Sequence, residues 1–275
     1  MIKLENVYYK YKNGDNVLEN INLQIDEGQI ISIIGKNGTG KSTILNLISG
    51  IIKPTKGDVL IDDINTKSKK DFLELRKKIG MVFQNPDSQI LFPRVHEDME
   101  FALKNLNLTN RKQRIDEALK IVNLQNFQDK DTYELSLGQK QRINIASVLA
   151  IKPKYIVLDE PTTMIDPMEK ENIYNCLRTL KKEGYTIIFV TNNIDEILLS
   201  DKILIIENKQ VRSVLKKEDI IKNAELLKEC NIKIPDIIQI ILKLKEVNIG
   251  ITLKEWTISE MINEIVKVCK NEKHN

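Results

Sequence analysis

The chain has 275 residues, 41% hydrophobic and 29% charged, enough for one large α/β domain with a smaller appendage. Its 42 Lys and Arg against 39 Asp and Glu leave a net charge of +3, too slight an excess to argue for nucleic acid as a partner.

Residues 1–34 read as strands and turns. Val17–Ile25 alternates apolar and polar residues as a half-buried strand does, Asp26-Glu27-Gly28 turns the chain, and Gln29–Ile34 ends in an apolar strand. Gly35-Lys36-Asn37-Gly38-Thr39-Gly40-Lys41-Ser42 follows at once and fits G-x-x-x-x-G-K-[ST], with helical spacing resuming at Ser42–Ile48. A triphosphate needs many donors converging on a small volume. Successive backbone N–H groups of a glycine loop supply them, and the next helix aims its positive end at the anion. Lys41 is then expected at the β and γ phosphates of ATP and Ser42 at Mg²⁺, with Gly35, Asn37, Gly38, Thr39, Gly40 and Thr43 completing the cradle. Tyr11, in the first strand region, offers a ring to stack on adenine.

Gln84 follows the short apolar run Ile79–Phe83, where a strand-end amide can reach Mg²⁺ or the attacking water. Residues 86–150 are mainly helical, with amphipathic patterns over Val95–Leu106 and Arg111–Val122 and another helix from Gly138 to Ala150. Ile156-Val157-Leu158-Asp159-Glu160-Pro161 is an apolar strand ending in two acids, at the edge where open α/β sheets bind ligands. Asp159 suits Mg²⁺, and Glu160 can polarise a water toward the γ phosphate.

Thr186–Val190 is a further strand. Ile203–Ile206 and Val211–Val214 flank a Glu207–Gln210 turn as a hairpin, and short Ile-, Leu- and Lys-rich helices run from about Lys216, with Pro235 opening one. Continuous apolar strands alternating with helices predict a mainly parallel sheet covered on both faces, interrupted by a helical insertion. Cys176, Cys230 and Cys269 form no CxxC pair and are expected to be scattered thiols. His96 is expected at a surface. No apolar stretch approaches the ~20 residues of a membrane helix, so a membrane role must come through a partner.

Leu135-Ser136-Leu137-Gly138-Gln139-Lys140-Gln141-Arg142, taken with the phosphate loop, Gln84 and Leu158-Asp159-Glu160-Pro161-Thr162, resembles the signature segment of ABC ATPases. The likeness spans essentially residues 2–215. Val82–Gln89, Val95–Phe101, Glu160–Pro167 and the tail from Lys217 to Pro235 are similar to the ATPases of energy-coupling factor (ECF) transporters. The resemblance implies an α/β P-loop NTPase, ABC-ATPase core at 1–215, a helical subdomain at about 86–150 and a C-terminal helical extension at 216–275 suited to dimerisation. It implies that Ser136, Gly138 and Gln139 act on the ATP of a second ATPase, and that Asp166 communicates across that dimer. It also implies a transmembrane coupling subunit and a substrate-binding membrane subunit at the cytoplasmic face of the membrane, and uptake of a vitamin or a transition metal ion such as cobalt or nickel.

Two positions depart from the family pattern. Leu137 replaces a glycine of the signature segment, and Asn192 stands where the family has a histidine. An amide can hydrogen-bond a γ phosphate or water but cannot carry positive charge. The expectation is a slow site on this chain beside a partner with the histidine intact, hence a heterodimer, a homodimer remaining open. Two alternatives are an ATP-binding regulatory subunit and a soluble ABC protein acting on ribosomes or DNA.

Overall fold

The computed structural model describes residues 1–12, 14–220, 222–234, 236–246, 251 and 258–272. In chain order the first part holds β1 (Ile2–Lys10), β2 (Asn16–Ile25), β3 (Ile30–Ile34), α1 (Lys41–Ile48), β4 (Lys56–Ile61), β5 (Ile64–Asn65), α2 (Phe72–Lys78) and β6 (Ile79–Val82). The helical middle holds α3 (Val95–Asn105), α4 (Arg111–Ile121) and α5 (Leu137–Ala150). Then come β7 (Tyr155–Asp159), α6 (Pro167–Lys182), β8 (Thr186–Val190), the single turn α7 (Ile194–Ile197), and the hairpin β9 (Lys202–Glu207) and β10 (Gln210–Lys216). The extension consists of α8 (Ala224–Glu229), α9 (Asp236–Glu246) and α10 (Ile258–Glu272). Pro235 and His274 lie outside the described residues.

Two sheets form instead of one. The six-stranded sheet has the order β10-β9-β3-β8-β7-β6, parallel except for the edge strand β10. All five residues of β3 are buried, the pattern of a strand covered on both faces. The other sheet is antiparallel, β2-β1-β4-β5, with Ile2 opposite Ile25 on one side and Ile61 on the other. The alternation at 17–25 foretells a half-buried strand. Its pairing through residues 2–10 to 56–61 is long-range and leaves no mark in local spacing.

Helix α1 lies between the sheets, and Ile44, Leu45, Leu47 and Ile48 join a core with Ile2, Val7, Val157 and Ile188. On the opposite face α3, α4, α5 and α6 pack Met99, Leu119, Ile145 and Leu177 against Leu158 and Phe189. A third cluster seats the extension on β9, with Leu227, Ile238 and Ile241 against Ile203 and Ile205.

A polar knot ties the amino-terminal edge of the parallel sheet to the antiparallel one. Asp62 accepts hydrogen bonds from the Met1 ammonium (2.6 Å), the Tyr155 hydroxyl (2.6 Å), Lys154 (3.0 Å) and Lys78 (3.2 Å). Burial alone would raise its pKa, but these donors outweigh that and hold the carboxyl well below the usual carboxylate range. A depressed folded-state pKa stabilises above the unfolded value and loses that contribution as pH falls through the folded one. Asp62→Asn is therefore expected to cost about 1–3 kcal/mol at pH 7, the donors being partly exposed. Urea titrations should show the gap between variant and wild type narrowing below about pH 4; a gap independent of pH would contradict the account.

Candidate active site

The carboxyl ends of β3, β6, β7 and β8 meet at one edge, and the glycine loop leaves β3 there to enter α1. Gly40 caps that helix with φ 98°, where a Cβ would come within 2.8 Å of Leu18 Cδ2, so the turn into the helix requires glycine. An open cleft of about 530 Å³ forms over the loop. It is lined by Tyr11, Val17, Asn37, Gly38, Gly40, Lys41, Ser42, Thr43, Gln84 and Glu160.

Lys41 is 6% exposed, and its ammonium donates to the carbonyls of Gly35 (2.8 Å) and Lys36 (3.1 Å). Burial lowers its pKa, opposed by the charges of Glu160 and Asp159. Ser42 Oγ donates to Asp159 Oδ1 at 3.0 Å. Burial pushes the Asp159 carboxyl up and the neighbouring Glu160 adds to this, while Ser42 and Lys41 work the other way. Gln84 Nε2 donates to Glu160 Oε2 at 2.7 Å, and the Thr163 hydroxyl bonds the same oxygen at 3.1 Å. Glu160 has φ 44°, a left-handed backbone with its N–H on the Val190 carbonyl at 3.0 Å. A non-glycine residue in that region is uncommon, and here it is held by Gln84, Thr163 and the Val190 carbonyl. Tyr11 is half exposed, its hydroxyl 3.2 Å from Thr43 Oγ1. Asn192 reaches the loop, its amide nitrogen 3.4 Å from Asn37 Oδ1; turned over, the amide would instead donate to the Thr191 and Gly35 carbonyls at 3.0 and 3.1 Å.

The expected residues thus fall into two groups. The cleft gathers the loop, Tyr11, Gln84 and Glu160, with Asp159 attached through Ser42 and Asn192 through Asn37. Ser136, Gly138, Gln139 and Asp166 are not among its lining residues. Ser136 caps α5 in a reciprocal box with Gln139 at 3.2 and 3.1 Å. Gly138 is close-packed, because a Cβ there would lie 2.6 Å from the Glu169 side chain. Asp166 caps α6, accepting from the Met168 and Glu169 N–H groups at 3.1 Å. Arg142 joins the two helices through Glu169 at 3.0 Å. Leu137, Met164 and Met168 stand exposed around this second group.

Sequence reasoning passed over Val17 and Thr163. Thr163 lay inside a quoted segment but carried no assigned chemistry, and Val17 reads only as a strand residue. His96 opens α3, partly exposed, with Nδ1 3.2 Å from the Gln128 carbonyl. Cys176 and Cys230 are buried free thiols. Among the described residues no group of His, Cys, Asp and Glu gathers to hold a metal, and no helix is long and apolar enough to cross a membrane.

A parallel sheet with a glycine loop, a buried lysine and paired strand-end acids defines a P-loop nucleoside triphosphatase, and the ABC transporter family matches residues 18–163. The chain belongs to the ABC ATPases, in the branch of energy-coupling factor transporter ATP-binding subunits, which couple ATP hydrolysis to transport. It is 36% identical over 274 residues to the energy-coupling factor transporter ATP-binding protein EcfA1 of Caldanaerobacter subterraneus, covering 97% of this chain and 99% of that protein. To the EcfA protein of Methanocaldococcus jannaschii it is 38% identical, with 99% of each chain covered. The structure of CbiO1 from Clostridium perfringens, described as part of the ABC transporter complex CbiONQ, superposes with a TM-score of 0.74 at 36% identity, over 87% of this chain and 97% of that one. A dimeric ABC cassette, MJ0796, bound to ADP and Pi, superposes with a TM-score of 0.70 at 35% identity, over 79% of this chain and 99% of that one.

Proposed function

We propose that the cleft binds ATP with Mg²⁺ and that its hydrolysis drives uptake of a vitamin or a transition metal ion through membrane partners. The observation that carries this is the convergence of Lys41, Ser42, Gln84 and Glu160, from three separate stretches of chain, on one cleft. Lys41 pairs with the β and γ phosphates, and Tyr11 stacks on the base. Ser42, Asp159 and Gln84 present the hard oxygen donors that suit Mg²⁺. Bound there, Mg²⁺ supplies positive charge to the phosphate oxygens. Glu160 takes the proton of the attacking water and Gln84 orients its carboxylate.

Ser136, Gly138 and Gln139 stand apart from the cleft at the start of a second helix, so they serve the nucleotide of a second ATPase, with Asp166 beside them. That reading supports an ATPase pair, and the exposed Leu137, Met164 and Met168 suit its interface. The membrane coupling subunit docks in the apolar groove of about 680 Å³ lined by Ile51, Phe72, Leu73, Met81 and Phe83. The groove also includes Gln89, within the 87–100 stretch that leads away from Gln84. The extension, 216–275, adds to the dimer contact. The assembly works at the cytoplasmic face of the membrane.

Affinity purification of the chain from its native membrane tests this. A second ATPase and small integral membrane proteins are expected, and the substrate-binding subunit recovered names the cargo. Recovery with ribosomal or DNA factors would sink the transporter reading. The Asn192 amide cannot carry positive charge. Asn192→His is therefore expected to raise turnover at this site roughly tenfold and to add a pH dependence near the histidine range. An unchanged rate in the assembled complex would count against a weakened site.

A further inference from the structure

We infer that Glu196 is a positioning residue for hydrolysis, locking the loop that carries Glu160 to the loop that carries Asn192. This rests on the roles proposed above for those two residues. Glu196 sits in α7 and is 1% exposed, yet it does not line the cleft and, among the described residues, makes no ion pair. Its carboxylate accepts from the Thr162 hydroxyl on the Glu160 side, and the turn that carries it starts from the Asn193 cap, next to Asn192. Thr191 Oγ1 in turn accepts from the Asn193 N–H at 2.8 Å, and Asn193 Nδ2 donates to the Tyr174 hydroxyl at 3.0 Å.

Every side chain that contributes a hydroxyl is nearly inaccessible, with Thr162 at 1%, Thr191 at 2% and Tyr174 at 5% exposed. Burial pushes the Glu196 carboxyl up, which marks the arrangement as costly unless its partners stay in place. Ile197 already anchors α7 in the core. Attachment of this turn therefore does not need an acid; what the carboxylate adds is direction. The Thr162 hydroxyl is drawn to a carboxylate on the turn next to Asn192, and a hydrogen bond to a charged group fixes geometry more tightly than apolar contact does. The left-handed Glu160 needs such support, because its own backbone conformation is unfavourable.

The test uses the full chain assembled with its partners, with hydrolysis by the other ATPase silenced. Glu196→Gln removes the charge that holds the Thr162 hydroxyl, and Thr162→Val removes the donor at equal shape. Each is expected to lower kcat about tenfold while KM for ATP stays within twofold, and Thr162→Ser should restore the wild-type rate. Hydrogen exchange on the full chain should quicken in both 160–166 and 191–195. An unchanged kcat, beside a Glu160→Gln variant that is inactive, would overturn the inference. So would exchange confined to 194–197, or a Thr162→Ser variant as slow as Thr162→Val. If Glu160→Gln itself turned over normally, the assignment of the site would fail, and the role of Glu196 with it.

Discussion

Glu160→Gln is expected to lower the hydrolysis rate by about 10²–10⁴, the usual contribution of a positioned general base, while leaving ATP binding within a few-fold. Glu160 stands at the mouth of the cleft, one residue beyond β7, with its carboxylate steered by Gln84 and Thr163. A glutamine fills the same space and keeps a hydrogen bond to one of these neighbours, so the fold and the phosphate loop are undisturbed. What disappears is the proton acceptor. Phosphate release should be followed in the assembled complex with the partner ATPase silenced, beside titration with a fluorescent ATP analogue. Bound ATP that is not consumed favours the closed dimer, because a ligand shifts an equilibrium by its differential affinity. A rate loss smaller than tenfold would place the base elsewhere.

The phosphate loop was legible because its information is local: eight consecutive residues between a strand and a helix carry both the chemistry and the context. Asp159 and Glu160 were legible for a similar reason, since an apolar run ending in acids marks a strand edge. The register that sets Asp159 beside Val190 is a long-range pairing, absent from local spacing. The antiparallel sheet was half legible, as β2 alternates but β4, Lys-Gly-Asp-Val-Leu-Ile, opens on two charged residues and a glycine that dilute the pattern. Glu196 was invisible, because an acid in a short helical piece reads as solvated surface until burial shows otherwise. Nor could spacing reveal that Gly138 is demanded by the side chain of Glu169, some thirty residues away in the chain.

Lys41→Ala is the complementary change, with binding as its expected casualty. The ammonium is buried against loop carbonyls, so its neighbourhood already holds a positive charge at the start of α1, where an anion is favoured. Several hydrogen bonds to charged phosphate oxygens, each worth about 1.5–3 kcal/mol, depend on that one group. Removing it should weaken ATP binding about 10²–10³-fold, the equivalent of about 3–4 kcal/mol. Hydrolysis should fall further still, because charge on the transferring phosphoryl group is met by the same lysine. Lys41→Arg keeps the charge but brings a planar, bulkier head into a site closed by the Gly35 and Lys36 carbonyls, and it should recover only part of the affinity. Titration with a fluorescent nucleotide, beside a thermal midpoint to exclude unfolding, decides the matter. If Lys41→Ala bound ATP as tightly as the wild type while Glu160→Gln did not, the division of the cleft into a binding half and a hydrolytic half would be reversed.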